Sequence, residues 1–242
     1  MKLAIITGGS RGLGAALVKT YCEYDYKVIS IARTKSNYEH ENLIAQIDFN
    51  LARIDHFDIL EGRIFNAIKG LEFKEVLLIN NAAILGEMKH IQDCQNWNIN
   101  DGIKVNVNAP LLLTSMVIRR WIGQSVNIRI INISSGLAVH PMPCSTIYCT
   151  TKAGIEMMTK TIALEQKDNH RFKMVSISPG IIDTDMQTEI RQTKKEDLEA
   201  VDQFIAFKEQ NLLVPPNVVA EKIWKVYSDD QYQSGETVSL RS

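Results

Sequence analysis

The stretch from Leu3 to Gly14, LAIITGGSRGLG, decides the fold of this 242-residue chain. Its first four residues are all apolar, as is typical of a strand that is buried on both faces of a parallel sheet. A glycine-rich turn follows at once, and the spacing of residues 15–24 then predicts an amphipathic helix. Because glycines let a ligand approach the backbone and a helix amino end offers N–H groups, this order predicts a dinucleotide-binding turn. The alternative is a tight connection that binds nothing.

The residues of this turn and of the second apolar segment indicate which cofactor is bound. We expect contacts to the cofactor from Gly8, Ser10, Arg11, Gly12, Leu13 and Gly14. The second segment, 27–32, ends at Arg33 and Thr34, where doubly wound folds hold the adenosine ribose. An acidic residue there would bind a ribose 2′-hydroxyl, whereas Arg33 and Arg11 suit a 2′-phosphate. The sequence therefore favours NADP(H), with two surface arginines as the alternative.

Further apolar segments alternate with helical ones along the chain. Predicted strands cover residues 43–47, 76–79, 127–133, 173–178 and 237–240, and helical spacing covers 53–70, 91–123, 145–166 and 218–227. This alternation predicts an α/β fold, a Rossmann-type doubly wound parallel sheet of about seven strands with helices on both faces. By analogy with doubly wound dinucleotide-binding folds, the expected strand order is 3-2-1-4-5-6-7. No linker or repeat interrupts the pattern, so residues 1–242 are expected to form a single NAD(P)-binding domain. The segment 184–212 is expected to be a substrate lid.

Polar residues follow the third and fourth predicted strands at their carboxyl ends. Asp48 is a candidate to hydrogen-bond the adenine amino group, with a helix cap as the alternative. Asn80, Asn81 and Ala82 follow the fourth strand, and paired amides there are placed to hold the sheet edge and the cofactor ribose together. A polar turn is the alternative for this second group.

Tyr148 and Lys152 are four residues apart, so a helix places them on one face, one turn apart. A phenol loses its proton near pH 10, and a neighbouring ammonium is expected to lower that pKa. Ser135, at the end of the fifth predicted strand, could complete a proton-handling group. Asn106 lies inside a predicted helix, where asparagine is locally unfavourable, and this discord hints at function.

Composition excludes several classes of function. The formal net charge is −1, with 27 basic and 28 acidic residues and no long basic block, so we expect no nucleic-acid partner. No apolar run is long enough to cross a membrane, and the amino terminus lacks the pattern of a signal peptide. The four cysteines form no C-x-x-C pair and no zinc-binding pattern, which predicts free thiols, no metal and a cytoplasmic location.

These motifs, in this order, make nearly the whole chain similar to the short-chain dehydrogenase/reductase family. The turn at residues 7–14 resembles the family's cofactor turn, and residues 80–83 resemble its Asn-Asn-Ala-Gly motif, with Ala83 in place of glycine. Four residues match the family's catalytic tetrad in order, including the thirteen-residue gap from serine to tyrosine: Asn106, Ser135, Tyr148 and Lys152. The resemblance implies that Lys152 lowers the Tyr148 pKa and binds the nicotinamide ribose, and that Asn106 holds a water linking Lys152 to solvent.

The resemblance also implies further cofactor contacts and a quaternary structure. Pro179, Gly180 and Thr184 match the segment that holds the nicotinamide carboxamide, and Ile182 lies within it. Tyr148 and Lys152 are expected to touch the cofactor as well as the substrate. A homo-oligomer, dimer or tetramer, is implied, although the final segment SGETVSLRS lacks the Gly-Gly strand that the family uses in tetramer contacts.

Within the family, three local segments resemble bacterial benzil reductases, which are related to sepiapterin reductase: residues 30–35, 106–112 and 178–187. This implies NADPH-dependent reduction of a small-molecule ketone, either an α-diketone such as benzil or a sepiapterin-like side-chain ketone, with Tyr148 as the proton donor. The alternatives are a catalytically silent NADP(H)-binding sensor or structural protein, and an NAD-dependent alcohol dehydrogenase. An apolar substrate pocket, or else simple packing, is expected from Val139, Met142, Cys144, Ile147, Ile182, Met186 and Phe204.

Overall fold

The computed structural model describes residues 1–241, and its centre is one parallel sheet of seven strands. The strands are β1 (Lys2–Thr7), β2 (Tyr26–Ala32), β3 (Leu43–Asp48), β4 (Glu75–Asn80), β5 (Asn127–Ile133), β6 (Phe172–Ser178) and β7 (Thr237–Ser239). Their order is β3-β2-β1-β4-β5-β6-β7, and each pair of neighbours is parallel. The predicted fold class and strand order are confirmed.

Helices cover both faces of this sheet. They are α1 (Gly12–Glu23), α2 (Phe57–Ala67), α3 (Asn96–Ile103), α4 (Ala109–Trp121), α5 (Thr146–Glu165), α6 (Asp185–Arg191), α7 (Val201–Glu209) and α8 (Pro216–Ser228). Leu3 and Ile5 of β1 pack into a core with residues of α2, α4 and α5, whereas Ala4 and Ile6 pack into a second core with α1 and α8. Because successive strand residues point to opposite faces, only an unbroken apolar run fills both cores.

The glycine turn is tighter than its spacing alone indicates. Gly8 and Gly12 have φ angles of +72° and +54°, a region that side chains disfavour. A Cβ on Gly9 would lie 2.2 Å from the hydroxyl of Ser30 on β2, so this position also excludes a side chain. The helix α1 consequently begins at Gly12, inside the turn, rather than near residue 15.

The long helical segment between β4 and β5 is interrupted where the sequence is discordant. A π-helical turn, Lys104–Asn108, separates α3 from α4 and contains Asn106. Such a turn inserts an extra residue into the helical repeat and is frequent at functional sites. Pro110 lies in the first turn of α4.

No helix in residues 1–241 is both long and apolar enough to span a membrane. No group of three or more His, Cys, Asp or Glu side chains in the same range is arranged to hold a metal ion.

Candidate active site

A cavity of about 760 Å³ lies at the carboxyl ends of the strands, and segments that follow β1 to β6 form its wall. This edge is where open α/β sheets bind ligands. The glycine turn forms one end of the cavity. Ser135, Tyr148 and residues of α6 and α7 form the other end.

At the first end, the six predicted turn residues, Gly8, Ser10, Arg11, Gly12, Leu13 and Gly14, all line the cavity. A Cβ on Gly14 would lie 2.0 Å from the carbonyl oxygen of Gly8, so only glycine lets α1 start this close to β1. Over residues 1–241, no side chain caps the first turn of α1, and that turn contains no acidic residue. Its N–H groups and positive potential therefore remain for an anion, which fits a cofactor phosphate.

Two arginines stand at this end, in different surroundings. Arg33 and Thr34, which follow β2, line the cavity and are exposed. Arg11 forms an ion pair with Asp185 at the start of α6, with 2.9 Å between Nη1 and Oδ2. Both side chains of that pair are about two-thirds exposed, at 66% and 67%, so the pair is weak.

Asp48 lies away from the cavity. Its Oδ1 accepts a hydrogen bond from Arg63 Nη2 at 2.6 Å, and Arg63 Nη1 also donates to its backbone carbonyl. The Arg63 guanidinium lowers the pKa of the Asp48 carboxyl. The residues that follow β3 and do line the cavity are Phe49, Asn50, Leu51 and Ala52. Strand spacing alone does not reveal which residue after β3 turns inward.

Asn80 is also placed differently from its neighbours. Its Nδ2 donates to Oδ1 of Asn132 at 2.8 Å, and Asn132 Nδ2 donates to Thr159 Oγ1 at 2.8 Å. Thr159 of α5 is in turn hydrogen-bonded to Ser176, so this buried chain of polar groups connects β4, β5, α5 and β6. Asn80 therefore joins the sheet to α5 and does not reach the cavity.

Asn81 and Ala82, by contrast, line the cavity as predicted. The Asn81 side chain donates to the Thr7 carbonyl at 2.9 Å, and both backbone N–H groups donate to the Thr7 hydroxyl at 3.0 Å. These bonds connect the end of β4 to the end of β1, so they fix the wall of the cavity next to the glycine turn.

Ser135, Tyr148 and Lys152 meet at the second end of the cavity. Lys152 is 4% exposed and Tyr148 is 9% exposed, and the Lys152 Nζ lies 5.4 Å from the centroid of the Tyr148 ring. Lys152 Nζ also donates to the Ile133 carbonyl at 2.6 Å. Ser135 Oγ accepts from the Leu137 N–H at 3.2 Å, which leaves the hydroxyl proton of Ser135 available to another acceptor.

The pKa of Tyr148 is raised in this arrangement, although Lys152 is close to it. Burial raises the pKa of Tyr148 to about 12, although a hydrogen bond with Ser135 acts to lower it. Burial likewise lowers the pKa of Lys152 to about 8. Burial is the main cause of both shifts, because desolvation penalises both the phenolate and the ammonium. At neutral pH the phenol keeps its proton, and most of the amine is protonated.

Asn106 is buried within the π-helical turn and uses its side-chain amide to join two elements. Its Oδ1 accepts from the Ile84 N–H at 2.9 Å, and its Nδ2 donates to the Ile84 carbonyl at 2.8 Å. The second N–H of Nδ2 is directed to Thr151 Oγ1 at 3.0 Å, next to Lys152 on α5. Asn106 thus attaches the cavity-lining loop after β4 to the helix that carries Tyr148 and Lys152.

The roof over Tyr148 is apolar. Its side chains come from four separate parts of the chain and are Leu85, Met88, Leu137, Met142, Met186, Ile190, Phe204 and Phe207. Of the seven predicted pocket residues, four line the cavity: Met142, Ile182, Met186 and Phe204. The other three are placed elsewhere. Val139 is 64% exposed, Cys144 is buried in a cluster with Leu198 and Val201, and Ile147 packs against Gly102.

The predicted carboxamide segment runs along the wall between the two ends. Pro179, Gly180, Ile182 and Thr184 all line the cavity. Gly180 has a φ angle of +84°, and a Cβ there would lie 3.2 Å from the Arg241 Cγ. Arg241 lines the cavity as well, although the sequence offers no local signal for it, since it lies beyond β7.

A family model described as short chain dehydrogenase matches residues 2–195. This chain belongs to the short-chain dehydrogenase family. It is 35% identical over 248 residues to benzil reductase ((S)-benzoin forming) of Bacillus cereus, with 99% of each chain covered. It is 25% identical over 253 residues to sepiapterin reductase of Xenopus laevis, covering 98% of this chain and 95% of the other.

A solved short chain dehydrogenase/reductase from Saccharomyces cerevisiae has the same fold, with a TM-score of 0.83, 21% identity, and coverage of 100% of this chain and 97% of that chain. The predicted family is thus confirmed, and its resemblance to benzil and sepiapterin reductases agrees with the relatives found. As a member of the short-chain dehydrogenase family, the protein is an oxidoreductase.

Proposed function

We propose that this protein is an NADPH-dependent carbonyl reductase that converts an α-diketone of the benzil type into the corresponding hydroxyketone. The observation that carries the proposal is the buried Tyr148, which retains its proton beside Ser135 and Lys152 under an apolar roof. The 35% identity to a benzil reductase that forms (S)-benzoin supports this substrate class and suggests the same product hand.

The first end of the cavity suits the phosphates of NADP(H). The N–H groups at the start of α1 would bind the pyrophosphate, and Arg33 with Arg11 would bind the 2′-phosphate. Asn81 and Ala82 would border the nicotinamide ribose, together with Lys152. The segment from Pro179 to Thr184 would hold the carboxamide. When bound, the reduced nicotinamide supplies a hydride to the substrate carbon.

The chain's own residues would act on the substrate oxygen. The Ser135 hydroxyl would donate a hydrogen bond to the carbonyl oxygen and would stabilise the negative charge that develops there. Tyr148 would give its proton to the same oxygen as general acid. Its raised pKa means that the proton is present at neutral pH, and the Lys152 ammonium would stabilise the phenolate that remains. Regeneration of the phenol requires a proton from solvent.

Asn106 would be a positioning residue for the transfer of a proton from solvent to Tyr148. By fixing the backbone of Ile84 and the hydroxyl of Thr151, it holds the loop after β4 against the helix turn that contains Lys152. A water held at this junction would connect Lys152 to solvent.

The apolar roof suits aromatic rings on both sides of a diketone. Met186, Ile190, Phe204 and Phe207 belong to α6 and α7, which lie in the segment 184–212 proposed as a lid. Movement of this segment would admit the substrate and then exclude water. We further propose a single catalytic domain and a homo-oligomer, dimer or tetramer; exposed apolar side chains on α4 and α5, among them Leu112 and Met157, support an interface there.

The experiment is NADPH oxidation, followed by absorbance, with benzil and sepiapterin as substrates and Tyr148→Phe as the variant. We expect turnover of benzil by the wild type and a loss of about 10²- to 10⁴-fold in kcat for Tyr148→Phe, because general-acid catalysis is removed. NADPH binding, measured by fluorescence titration, is expected to stay unchanged, since the ring remains. Full activity of Tyr148→Phe would remove Tyr148 from the mechanism.

A binding-only protein gives a different result in the same assay. NADPH would bind with normal affinity, and no carbonyl in a panel of diketones, pterin ketones and sugars would be reduced. That outcome would favour the sensor function over the reductase. A preference for NADH over NADPH would instead favour an NAD-dependent dehydrogenase.

A further inference from the structure

Among residues 1–241, only two charged side chains are buried, and both lie on α5. They are Lys152, which is 4% exposed, and Glu156, which is 6% exposed. Their spacing of four residues places them one turn apart on the same face of the helix. Burying a carboxylate is costly unless hydrogen bonds compensate it, so an apolar residue at position 156 would ordinarily be the more stable choice. The mechanism uses Lys152 but leaves Glu156 unexplained.

The two buried side chains hold consecutive residues at the end of β5. Lys152 Nζ donates to the Ile133 carbonyl at 2.6 Å, and the Ser134 hydroxyl donates to Glu156 Oε1 at 2.7 Å. Ser134 is itself buried, and its N–H donates to the Ile177 carbonyl of β6 at 2.8 Å. Ser134 is therefore fixed by the sheet on one side and by Glu156 on the other.

The residue after Ser134 is Ser135, and its backbone is extended, with φ −157° and ψ 154°. In extended backbone, successive side chains point to opposite sides. Ser134 and Ser135 both border the cavity, and the Ser134 hydroxyl is directed to Glu156 of α5. A rotation of the chain at Ser134 would move the Ser135 hydroxyl relative to Tyr148.

We propose that Glu156 is a positioning residue for the reduction: by accepting the hydrogen bond of Ser134, it sets the place of the Ser135 hydroxyl relative to Tyr148. The inference rests on the function proposed above. A carboxylate acceptor makes a stronger hydrogen bond than a neutral one, which suits a contact that must hold a strand end in one orientation. Without the acceptor, the buried Ser134 hydroxyl would lose its partner and favour other orientations.

The test uses Glu156→Gln, which keeps an acceptor, Glu156→Leu, which removes it, and Ser134→Ala, which removes the donor. Glu165→Leu, at the exposed end of the same helix, is the matched control. We expect Glu156→Leu to lower kcat with benzil by about 10- to 100-fold through misplacement of Ser135. The NADPH dissociation constant should be unchanged, Glu156→Gln should recover most of kcat, and the control should behave as the wild type.

A double variant, Ser134→Ala with Glu156→Leu, tests whether the two residues act together. We expect its kcat to be no lower than that of Glu156→Leu alone, because both changes remove the same contact. Multiplied effects of the two single changes would overturn the proposal. The proposal would also be overturned if Glu156→Leu had the same kcat as the control, or if Glu156→Gln were as slow as Glu156→Leu.

Hydrogen exchange of the backbone amides of residues 134–138 gives a readout that does not depend on turnover. Exchange there should be faster in Glu156→Leu and Ser134→Ala than in the control, and unchanged exchange would overturn the anchoring role. If the wild type reduces no carbonyl, the proposed function fails, whereas the exchange data still decide the contact. If Glu156→Leu does not fold, the kcat values and hydrogen-exchange rates of Ser134→Ala and Glu156→Gln decide whether the contact positions Ser135.

Discussion

The two ends of the cavity are built in different ways. The proposed cofactor end is made largely by one continuous segment, β1 with the glycine turn and the start of α1, whose glycines expose the backbone to the cavity. The substrate end is assembled from side chains of separate segments around Tyr148, which is buried. Where the backbone itself borders the ligand, any added side-chain atom displaces the binding groups. Where side chains border it, the reaction depends on their functional groups and on how deeply they are buried. Substitutions at the cofactor end should therefore change mainly cofactor affinity, and substitutions at the substrate end should change mainly kcat and its pH dependence.

The largest effect on cofactor affinity is expected from Gly14→Ala, at the cofactor end. Its Cβ would lie 2.0 Å from the Gly8 carbonyl oxygen, so the turn or the start of α1 must shift. We expect NADPH affinity to fall by about 100-fold, since a displacement of about 1 Å in a binding turn can cost this much. Fluorescence titration measures it. Gly62→Ala, where an added Cβ meets no atom within 4 Å, is the control. Equal NADPH affinity of both variants would contradict the expectation that the cofactor site depends on the backbone of the glycine turn.

A smaller and more selective effect is expected from Arg33→Asp. The guanidinium is replaced by a carboxylate that repels a 2′-phosphate and can accept a hydrogen bond from a 2′-hydroxyl. We expect the preference for NADPH over NADH, as the ratio of kcat/KM values, to fall by about 10- to 100-fold, the value of one or two charge-assisted hydrogen bonds. Arg63→Asp is the control outside the cavity. An unchanged ratio for Arg33→Asp would show that the arginine does not read the phosphate.

The substrate end should reveal itself in the pH dependence. Lys152 has a pKa near 8, lowered by burial from 10.5, so the ammonium is lost as pH rises through about 8. We expect kcat for reduction to be level below pH 8 and to fall about tenfold per pH unit above it. Tyr148, with a pKa of about 12, keeps its proton throughout this window.

Two controls separate this titration from unfolding. Between pH 8 and 10.5 the unfolded chain binds the Lys152 proton that the folded chain has released, so this group makes the free energy of unfolding rise with pH. Lys152→Arg keeps a positive charge at every pH in this range, although arginine is not a close substitute for lysine in shape. Its kcat should be lower than that of the wild type but constant over the same pH range. A decline of Lys152→Arg parallel to that of the wild type would assign the decline to another group.

The smallest effect on NADPH affinity is expected at the Arg11–Asp185 ion pair, which connects the glycine turn to α6. Asp185→Asn removes the ion pair to Arg11, and both partners are mostly exposed, at 66% and 67%. Such pairs contribute about 0.2–1 kcal/mol, which corresponds to a change of less than about fivefold in NADPH affinity. Titration at low and high salt checks this, because screening should remove even that difference. A change of more than tenfold would mean that the two ends do not act independently.

How far the sequence predicts each part depends on how local its cause is. The strands of the sheet could be predicted because runs such as Leu3–Ile6 must fill two cores at once. The pairing of Tyr148 with Lys152 could be predicted because four residues are one helical turn. Asp48, by contrast, was expected at the adenine but pairs with Arg63, which belongs to another element. Glu156 gave no signal, because its partner Ser134 is 22 residues away.

The sequence by itself determined the fold and the glycine turn, since these follow from apolar periodicity and local spacing, and its resemblance to the short-chain dehydrogenase family indicated the four tetrad residues. Only the tertiary structure decided that Tyr148 holds its proton, that Asn80 faces the sheet interior and that Cys144 and Ile147 lie behind the cavity wall. The physical reason is that burial sets both a pKa and the direction of a side chain. Burial depends on which distant elements cover a residue, and neighbours along the chain do not encode that.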